Sequence, residues 1–207
     1  MKKIIIFDYD GVIVDSLDAY EKAVISAFSK NGFNQINSRE SFLALFDGNF
    51  FEGVVKIGIP AEKMPAIIKE LEPKLQSLQG ELKLFDGIRE ILAELTSKCK
   101  IYIATSNLTN VVKTYLESQN IAGFEEIIGA DKETSKVKKI ENIKEKYPDS
   151  EIFYVGDTKG DIIEGKLAGA KTIAVAWGWH DIGRLKEGKP DYIAKEPSDL
   201  LLIIDNL

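Results

Sequence analysis

The feature that most constrains this chain is an apolar run, Lys3–Phe7, that stops abruptly on two aspartates, Asp8 and Asp10. An unbroken apolar run of this length is typical of a strand at the centre of a parallel sheet that is covered on both faces. In an extended chain, the i, i+2 spacing points both carboxylates to the same side. Gly11 follows and allows a backbone turn that a side chain would hinder. Because neighbouring carboxylates repel each other, this strand end requires a cation, a proton or a cationic partner.

Composition narrows the classes of function that such a strand end can serve. The chain has 207 residues, of which 44% are hydrophobic, enough for one large domain or for one domain with a small second one. A net charge of −6 argues against nucleic acid as a partner, because binding to a phosphate backbone requires a positive surface. No apolar stretch reaches membrane-spanning length, and Asp8 interrupts the first apolar run too early for a signal peptide. We therefore expect neither a nucleic-acid nor a membrane partner.

The scarcity of cysteine and histidine limits the metal chemistry. The chain has one cysteine, Cys99, and one histidine, His180. A Cys/His zinc site is therefore not available, and an internal disulfide is excluded. A lone cysteine is typical of the reducing cytoplasm, where we expect the protein to reside. A bound metal would take oxygen ligands, which favours a hard cation such as Mg²⁺.

Hydrophobic periodicity divides the chain into two parts. Residues 16–82 show only helical patterns, with apolar residues at helix spacing in three stretches. This block is too long for an ordinary connection, so it predicts a small, all-helical cap domain inserted after the first strand. Residues 1–15 and 83–207 would then form an α/β core domain.

Apolar strands alternate with helices in the predicted core. The strands are expected at 100–104, 126–128, 152–155, 171–175 and near Tyr192, and the helices at 87–97, 109–118, 134–147, 161–168 and from Ser198. Strands that alternate with helices imply parallel crossovers, and hence a doubly wound, Rossmann-like parallel sheet.

Polar residues follow three of the predicted strands at the point where each strand ends. In chain order they are Asp8 and Asp10, Ser106 and Asn107, and Asp157 and Asp161. The carboxyl ends of parallel strands meet at one edge of the sheet, where ligands bind. Each residue also has a simpler interpretation, as a solvated turn residue or as a helix cap. The chain lacks both G-x-G-x-x-G after the first strand and G-x-x-x-x-G-K-[ST], which argues against a dinucleotide-binding enzyme and a P-loop nucleotidase.

The strand ends match a known set of motifs. Asp8–Val12 fits D-x-D-G-[TV] and is followed by Asp15-Ser16, Ser106 closes an apolar strand, and Gly156–Asp161 fits G-D-x-x-x-D. In order and spacing, these motifs resemble the haloacid dehalogenase-like superfamily, in the helical-cap branch that includes phosphoglycolate phosphatase and beta-phosphoglucomutase. The family also has a lysine early in a later helix, which Lys136 matches best.

The lysine motif departs from the family pattern. The family usually has Lys-Pro, whereas Val137 follows Lys136 here, and Lys132, Lys138 and Lys139 lie close by. The choice among these four lysines therefore stays open at this point.

The resemblance implies roles for these residues in phosphoryl transfer. Asp8 would attack phosphorus to give an aspartyl-phosphate, and Asp10 would protonate the leaving alcohol and then activate water. Ser106, Asn107 and Lys136 would bind the phosphoryl group of the substrate and offset its charge.

The resemblance also implies a Mg²⁺ site. Asp8 and Asp157 would bind the ion directly, Asp10 would contribute its backbone carbonyl, and Asp161 would bind directly or through water. The implied enzyme is a Mg²⁺-dependent phosphoric monoester hydrolase acting on a small phosphorylated metabolite.

Other functions share parts of this pattern. A phosphomutase acting on a sugar phosphate has the same motifs and differs in its cap residues. A receiver-type phospho-aspartate switch normally carries its acidic pair before the phosphorylated strand and has no cap, and a decayed scaffold is disfavoured by the intact motifs. A dehalogenase is disfavoured because Asp10 is present. Arg39 is the only arginine of residues 16–82, which weakly disfavours a doubly anionic substrate. The substrate, and the choice between monomer and dimer, remain open.

Overall fold

The predicted alternation of strands and helices builds a parallel sheet. The computed structural model describes residues 3–78 and 80–206. Its strands are β1 (Lys3–Phe7), β2 (Val14–Asp15), β3 (Lys83–Leu84), β4 (Lys100–Ala104), β5 (Phe124–Ile128), β6 (Glu151–Gly156), β7 (Lys171–Val175) and β8 (Tyr192–Ala194). Six of these strands pair in parallel in the order β5-β4-β1-β6-β7-β8, which places β1 between β4 and β6.

Helices cover both faces of this sheet. They are α1 (Leu17–Lys30), α2 (Arg39–Leu43), α3 (Phe50–Lys56), α4 (Met64–Leu78), α5 (Ile88–Lys98), α6 (Thr109–Ser118), α7 (Lys136–Lys146), α8 (Lys159–Leu167), α9 (Ile182–Glu187) and α10 (Ser198–Asp205). Ile5 and Phe7 of β1 pack with α5, α6 and α10, whereas Ile4 and Ile6 pack with α7. Because successive residues of β1 are buried against helices on opposite faces, the doubly wound, Rossmann-like α/β fold is confirmed.

The chain between β2 and β3 is helical. It contains α1–α4 and two short 3₁₀ turns, Ala44–Asp47 and Ala61–Lys63. Most of its apolar side chains form a cluster distinct from the two that cover β1. The short strands β2 and β3 pair antiparallel, so the chain enters and leaves this helical segment at adjacent points. The division into a core of residues 1–15 and 83–207 and a cap of residues 16–82 stays a prediction.

The sequence does not predict the two short helices α3 and α9. The Asp47-Gly48-Asn49 turn signal precedes α3, and the Asn49 side chain accepts hydrogen bonds from the first N–H groups of that helix. Asp181 caps α9 in the same way by accepting from the Arg184 N–H. A residue that ends one element and caps the next helix gives only a turn signal in the sequence. Among the described residues, no helix has the length and apolarity needed to cross a membrane.

The loop before α3 contacts α8 and α9 directly. Asp47 forms an ion pair with Arg184 at 2.7 Å, and Asn49 Nδ2 donates to Glu164 Oε1 at 2.9 Å. At Gly160, a Cβ atom would lie only 2.3 Å from the carbonyl oxygen of Gly48. These contacts hold the helical segment against the carboxyl end of the sheet.

Candidate active site

The chain turns sharply where β1 ends. The Asp8 N–H donates to the Val155 carbonyl at 2.8 Å, and the Tyr9 N–H donates to Asp8 Oδ1 at 2.7 Å. Gly11 has a φ of +76°, and a Cβ atom there would lie 1.9 Å from Asp157 Oδ2. Glycine is therefore required here both by the left-handed backbone and by the approach of the turn to Asp157.

Three carboxylates converge at the ends of β1 and β6. Oxygen atoms of Asp8, Asp157 and Asp161 lie within 4.8 Å of one another, and all three side chains are buried. Burial, helped by the charge of Asp161, raises the pKa of Asp157 well above its usual range. Burial also raises the pKa of Asp8, although a neighbouring lysine opposes this rise. Three carboxylates at this separation require positive charge to be ionised together.

This acidic cluster fits a divalent cation. Asp157 Oδ2 accepts from the Trp179 N–H at 2.7 Å, whereas its Oδ1 is buried and has no hydrogen-bond partner in the described part of the chain. Hard cations such as Mg²⁺ prefer carboxylate oxygens as ligands. Asp8, Asp157 and Asp161 are therefore suited to hold such an ion. The carboxylate of Asp10 is not part of this group, and the predicted metal contact of Asp10 through its backbone carbonyl stays a prediction.

A buried lysine bridges two of the three carboxylates. Lys136 Nζ donates to Asp8 Oδ2 at 2.6 Å and to Asp161 Oδ1 at 2.5 Å, and only 4% of the residue is exposed. Burial disfavours the charged lysine, but Asp161 and Asp8 raise its pKa well above the usual range. Burial would likewise raise the pKa of Asp161, but Lys136 holds it below its usual value. The cluster thus contains its own counter-charge.

The structure distinguishes among the four lysines that the sequence leaves as candidates for the lysine of the family motif. Lys132 is exposed and pairs with Glu126 at 3.3 Å, and Lys138 is exposed as well. Lys139 is buried, but its Nζ donates to a backbone carbonyl of the loop after β4. Of the four, Lys136 is the one that contacts Asp8.

Asp10 lies beside the end of β4. Asn107 Nδ2 donates to Asp10 Oδ2 at 2.9 Å. Burial raises the pKa of Asp10 to about 7, and the charge of Asp8 adds to the rise while the Asn107 hydrogen bond opposes it. A carboxyl group that titrates near neutrality can both donate and accept a proton. The amide of Asn107, which the sequence predicts to bind substrate, thus contacts Asp10.

A small cavity is lined by most of the predicted residues. Its volume is about 10 Å³, and it is lined by Asp8, Asp10, Thr105, Ser106, Lys136, Asp157 and Thr158, with Tyr20, Phe46 and Trp179 on the remaining sides. This volume is close to the space that one water molecule requires.

Sequence reasoning missed several residues that orient the carboxylates. Thr158 Oγ1 donates to Asp161 Oδ2 at 2.6 Å and Tyr154 Oη donates to Asp161 Oδ1 at 2.9 Å, while the Trp179 backbone holds Asp157. Thr158 and Asp161 form a capping box at the start of α8, a signal that the spacing T-x-x-D carries. The Trp179 contact uses a backbone N–H, so no residue type could indicate it.

Comparison with known proteins identifies the family. A family model described as haloacid dehalogenase-like hydrolase matches residues 5–175, and the chain belongs to that family. Phosphoglycolate phosphatase of Synechococcus elongatus is 27% identical over 98% of this chain and 97% of its own length. Pyrophosphatase PpaX of Bacillus mycoides is 26% identical over 98% of this chain and 97% of its own length. The predicted family is confirmed, and these relatives put the chain among its phosphatases.

A solved structure supports the same fold. A haloacid dehalogenase-like family hydrolase from Streptococcus pneumoniae superposes with a TM-score of 0.78, at 23% sequence identity and over 98% of each chain. The described sheet and the helices around it therefore have the architecture of this family.

Removing the charge of Lys136 tests the electrostatics of the site. In Lys136→Met the two carboxylates lose their cation while a side chain of similar length remains. Because this leaves buried charge unpaired, we expect the free energy of unfolding to fall by about 3–5 kcal/mol at pH 7. Lys138→Met, on the exposed side of the same helix, is the control and should change stability by less than about 0.5 kcal/mol. Urea denaturation measures both.

Acidification should recover part of the stability that Lys136→Met loses. Without the lysine, the folded-state pKa of Asp161 rises above its unfolded value and that of Asp8, which is already raised, rises further, so the folded state binds more protons. The loss should therefore shrink as the pH falls from 7 towards 5 and grow as it rises. A loss that is the same at both pH values, or one that Lys138→Met shares, would contradict this account.

Proposed function

We propose that this chain is a Mg²⁺-dependent phosphatase that hydrolyses a small phosphorylated metabolite through an aspartyl-phosphate on Asp8. The strongest support is one arrangement of residues: Asp8 contacts Lys136 at 2.6 Å in a cavity that Asp10, with a pKa of about 7, also lines. This arrangement supplies a charge-stabilised nucleophile and a proton carrier in one buried site.

The reaction would proceed by two displacements at phosphorus. In the first, a carboxylate oxygen of Asp8 bonds to phosphorus, the bond from phosphorus to the alcohol oxygen breaks, and Asp10 gives its proton to that oxygen. In the second, water attacks phosphorus and gives a proton to Asp10, and the bond to Asp8 breaks. Inorganic phosphate leaves, and both aspartates return to their starting states.

The remaining residues would bind and orient the reacting groups. Ser106 and Lys136 line the cavity with Asp8 and would contact the phosphoryl oxygens. Asn107 would hold Asp10 in place through its 2.9 Å hydrogen bond.

The proposed ligands of Mg²⁺ are the carboxylates of Asp8 and Asp157 and the backbone carbonyl of Asp10, and Asp161 would bind the ion directly or through water. When bound, the ion would neutralise charge on the phosphoryl group.

We also propose that residues 16–82 act as a cap domain that opens and closes over the core. The cavity, at about 10 Å³, is too small for a phosphate ester, so α1–α4 would separate from the sheet to admit substrate. Closure would then exclude water other than the attacking molecule. The adjacent strands β2 and β3, where the chain crosses between the two parts, are the proposed hinge. The half-buried free thiol of Cys99 is compatible with the cytoplasmic location that we propose.

Replacing Asp8 tests the nucleophile. We expect Asp8→Asn to lower the rate of phosphate release from a panel of phosphorylated metabolites by about 10⁴-fold or more, because the amide cannot attack phosphorus. Asp149→Asn, at an exposed site before β6, is the matched control and should retain wild-type rates. Circular dichroism checks that both variants fold.

Removing divalent metal tests the cofactor on the same panel. Enzyme treated with a chelator should release no phosphate, and added Mg²⁺ should restore the rate. Undiminished turnover in the chelator would exclude the proposed ion, and retained turnover in Asp8→Asn would exclude the proposed nucleophile.

A further inference from the structure

Three of the residues that line the cavity are aromatic. Tyr20, Phe46 and Trp179 line it and are each only 8% exposed. The ring centroid of Trp179 lies 5.5 Å from that of Tyr20 and 5.0 Å from that of Phe46. The part of a substrate that extends beyond its phosphoryl group would therefore meet ring surfaces.

A second small cavity adjoins the first. Its volume is about 20 Å³, and it shares Tyr20 and Ser106 with the first cavity. Its other walls come mainly from the cap helices, with Phe50 of α3 and Met64 and Leu71 of α4 among them. The two cavities together thus run from Asp8 into an apolar space between the helical segment and the loop after β4.

The basic side chains of the helical segment do not line either cavity. Arg39 pairs with Asp18 at 2.5 Å and with Glu21 at 2.7 Å, and Lys74 pairs with Glu70 at 3.4 Å. Five further lysines of α1–α4 and their connections are exposed: Lys22, Lys30, Lys56, Lys63 and Lys69.

The two cavities contain very little positive charge. Of the described residues that line them, Lys136 is the only cation, and it already contacts Asp8 and Asp161. A leaving group that enters the second cavity would therefore meet no basic side chain of the helical segment.

We propose that the substrate is a phosphate ester of an uncharged alcohol. When the helical segment closes over bound substrate, the apolar part of the substrate packs against the residues that line the second cavity, which is then wider than the roughly 20 Å³ it has here. This inference rests on the proposed phosphatase function. A carboxylate or second phosphate in the leaving group would lose its hydration against aromatic and aliphatic side chains without gaining a cation. Phosphoglycolate and pyrophosphate, which the names of two relatives indicate as their substrates, should then be poor substrates here.

The test compares kcat/KM for n-butyl phosphate, phosphoglycolate and pyrophosphate, with wild-type enzyme in the presence of Mg²⁺. We expect n-butyl phosphate to be preferred by about tenfold or more. Ile68→Lys adds a cation to the lining of the second cavity and should raise the ratio of phosphoglycolate to n-butyl phosphate turnover by about tenfold. Ile57→Lys, at an exposed site in the same segment, should leave that ratio unchanged.

The outcomes separate the substrate class from the reaction. Wild-type turnover of phosphoglycolate or pyrophosphate that equals or exceeds that of n-butyl phosphate would overturn the substrate class and leave the phosphatase function standing. An unchanged ratio in Ile68→Lys would overturn the placement of the leaving group. If wild-type enzyme with Mg²⁺ hydrolyses neither these compounds nor p-nitrophenyl phosphate, the proposed function is overturned and the substrate class with it.

A second buried lysine supports a separate inference. Lys139 lies three residues after Lys136 on α7 and is 0% exposed. Its Nζ donates to the carbonyl oxygen of Thr105 at 2.6 Å, and Thr105 Oγ1 accepts from the Asn107 N–H at 3.0 Å. Lys139 thus anchors the start of the loop that carries Ser106 and Asn107.

Burying the charge of this lysine has an energetic cost. Burial, together with the charge of Lys136, lowers the pKa of Lys139 to about 8, although Asp8, Glu164 and Glu133 act in the opposite direction. An apolar side chain of similar length would avoid the cost of burying this charge. A role in the site would explain why a lysine stands here.

We infer that Lys139 is a positioning residue that holds Ser106 towards the phosphoryl group and Asn107 towards Asp10. In Lys139→Met we expect kcat/KM for the best substrate to fall by about tenfold or more and the inhibition constant of inorganic phosphate to rise, while Tm stays equal to or above that of wild type. Lys138→Met is the exposed control. Unchanged kinetics would overturn the inference, and so would a loss of activity accompanied by a lowered Tm, because a purely structural lysine predicts that combination.

Discussion

The rest of the site depends on one buried interaction, the contact of Lys136 with Asp8 and Asp161. Each charge alone would be costly at this depth, because the desolvation of a buried ion must be offset by a partner in good geometry. The three groups offset one another, at 2.6 and 2.5 Å. Asp8 directly follows β1, whereas Lys136 belongs to α7 and Asp161 to α8. Three separate elements of the fold therefore fix the position of Asp8, the proposed nucleophile.

Those elements are themselves held by local interactions. Ser135 caps α7 by accepting from the Lys138 N–H, which places Lys136 in the first turn of the helix. Thr158 and Asp161 form the capping box of α8, so the same carboxylate that binds Lys136 also begins a helix. Loss of either cap would therefore disturb the charge balance of the site as well as a helix end.

Much of this arrangement could be predicted because its signals are local in the sequence. The apolar run of β1, the strand-helix alternation and the polar residues at strand ends each depend on a few neighbouring positions, and they predict the fold and the convergence of Asp8, Asp157 and Asp161. The choice among four lysines could not be made from motif spacing. It depends on the rotation of α7, whose apolar residues Ile140 and Ile143 turn Lys136 and Lys139 inwards and leave Lys138 exposed.

Other features arise only when distant segments meet. The hydrogen bond from Asn107 to Asp10 joins positions 97 residues apart, and the aromatic contacts of Trp179 join the loop after β7 to α1 and α2. No period or local spacing encodes such contacts. The proposed roles of the site residues and the proposed division into core and cap depend on the same long-range arrangement. Measurements of phosphate release test the proposed roles.

The most direct test of the account is to locate the phosphoryl group on the enzyme. Asp10→Asn enzyme would be mixed with acetyl phosphate and Mg²⁺, quenched in acid and analysed by peptide mass spectrometry. Acetyl phosphate has a leaving group that needs no proton, whereas hydrolysis of the intermediate lacks its base, so the phosphoryl group should accumulate. The account predicts that it is attached to Asp8. A phosphoryl group on another side chain, or release of phosphate with no phosphoryl group on Asp8, would contradict it.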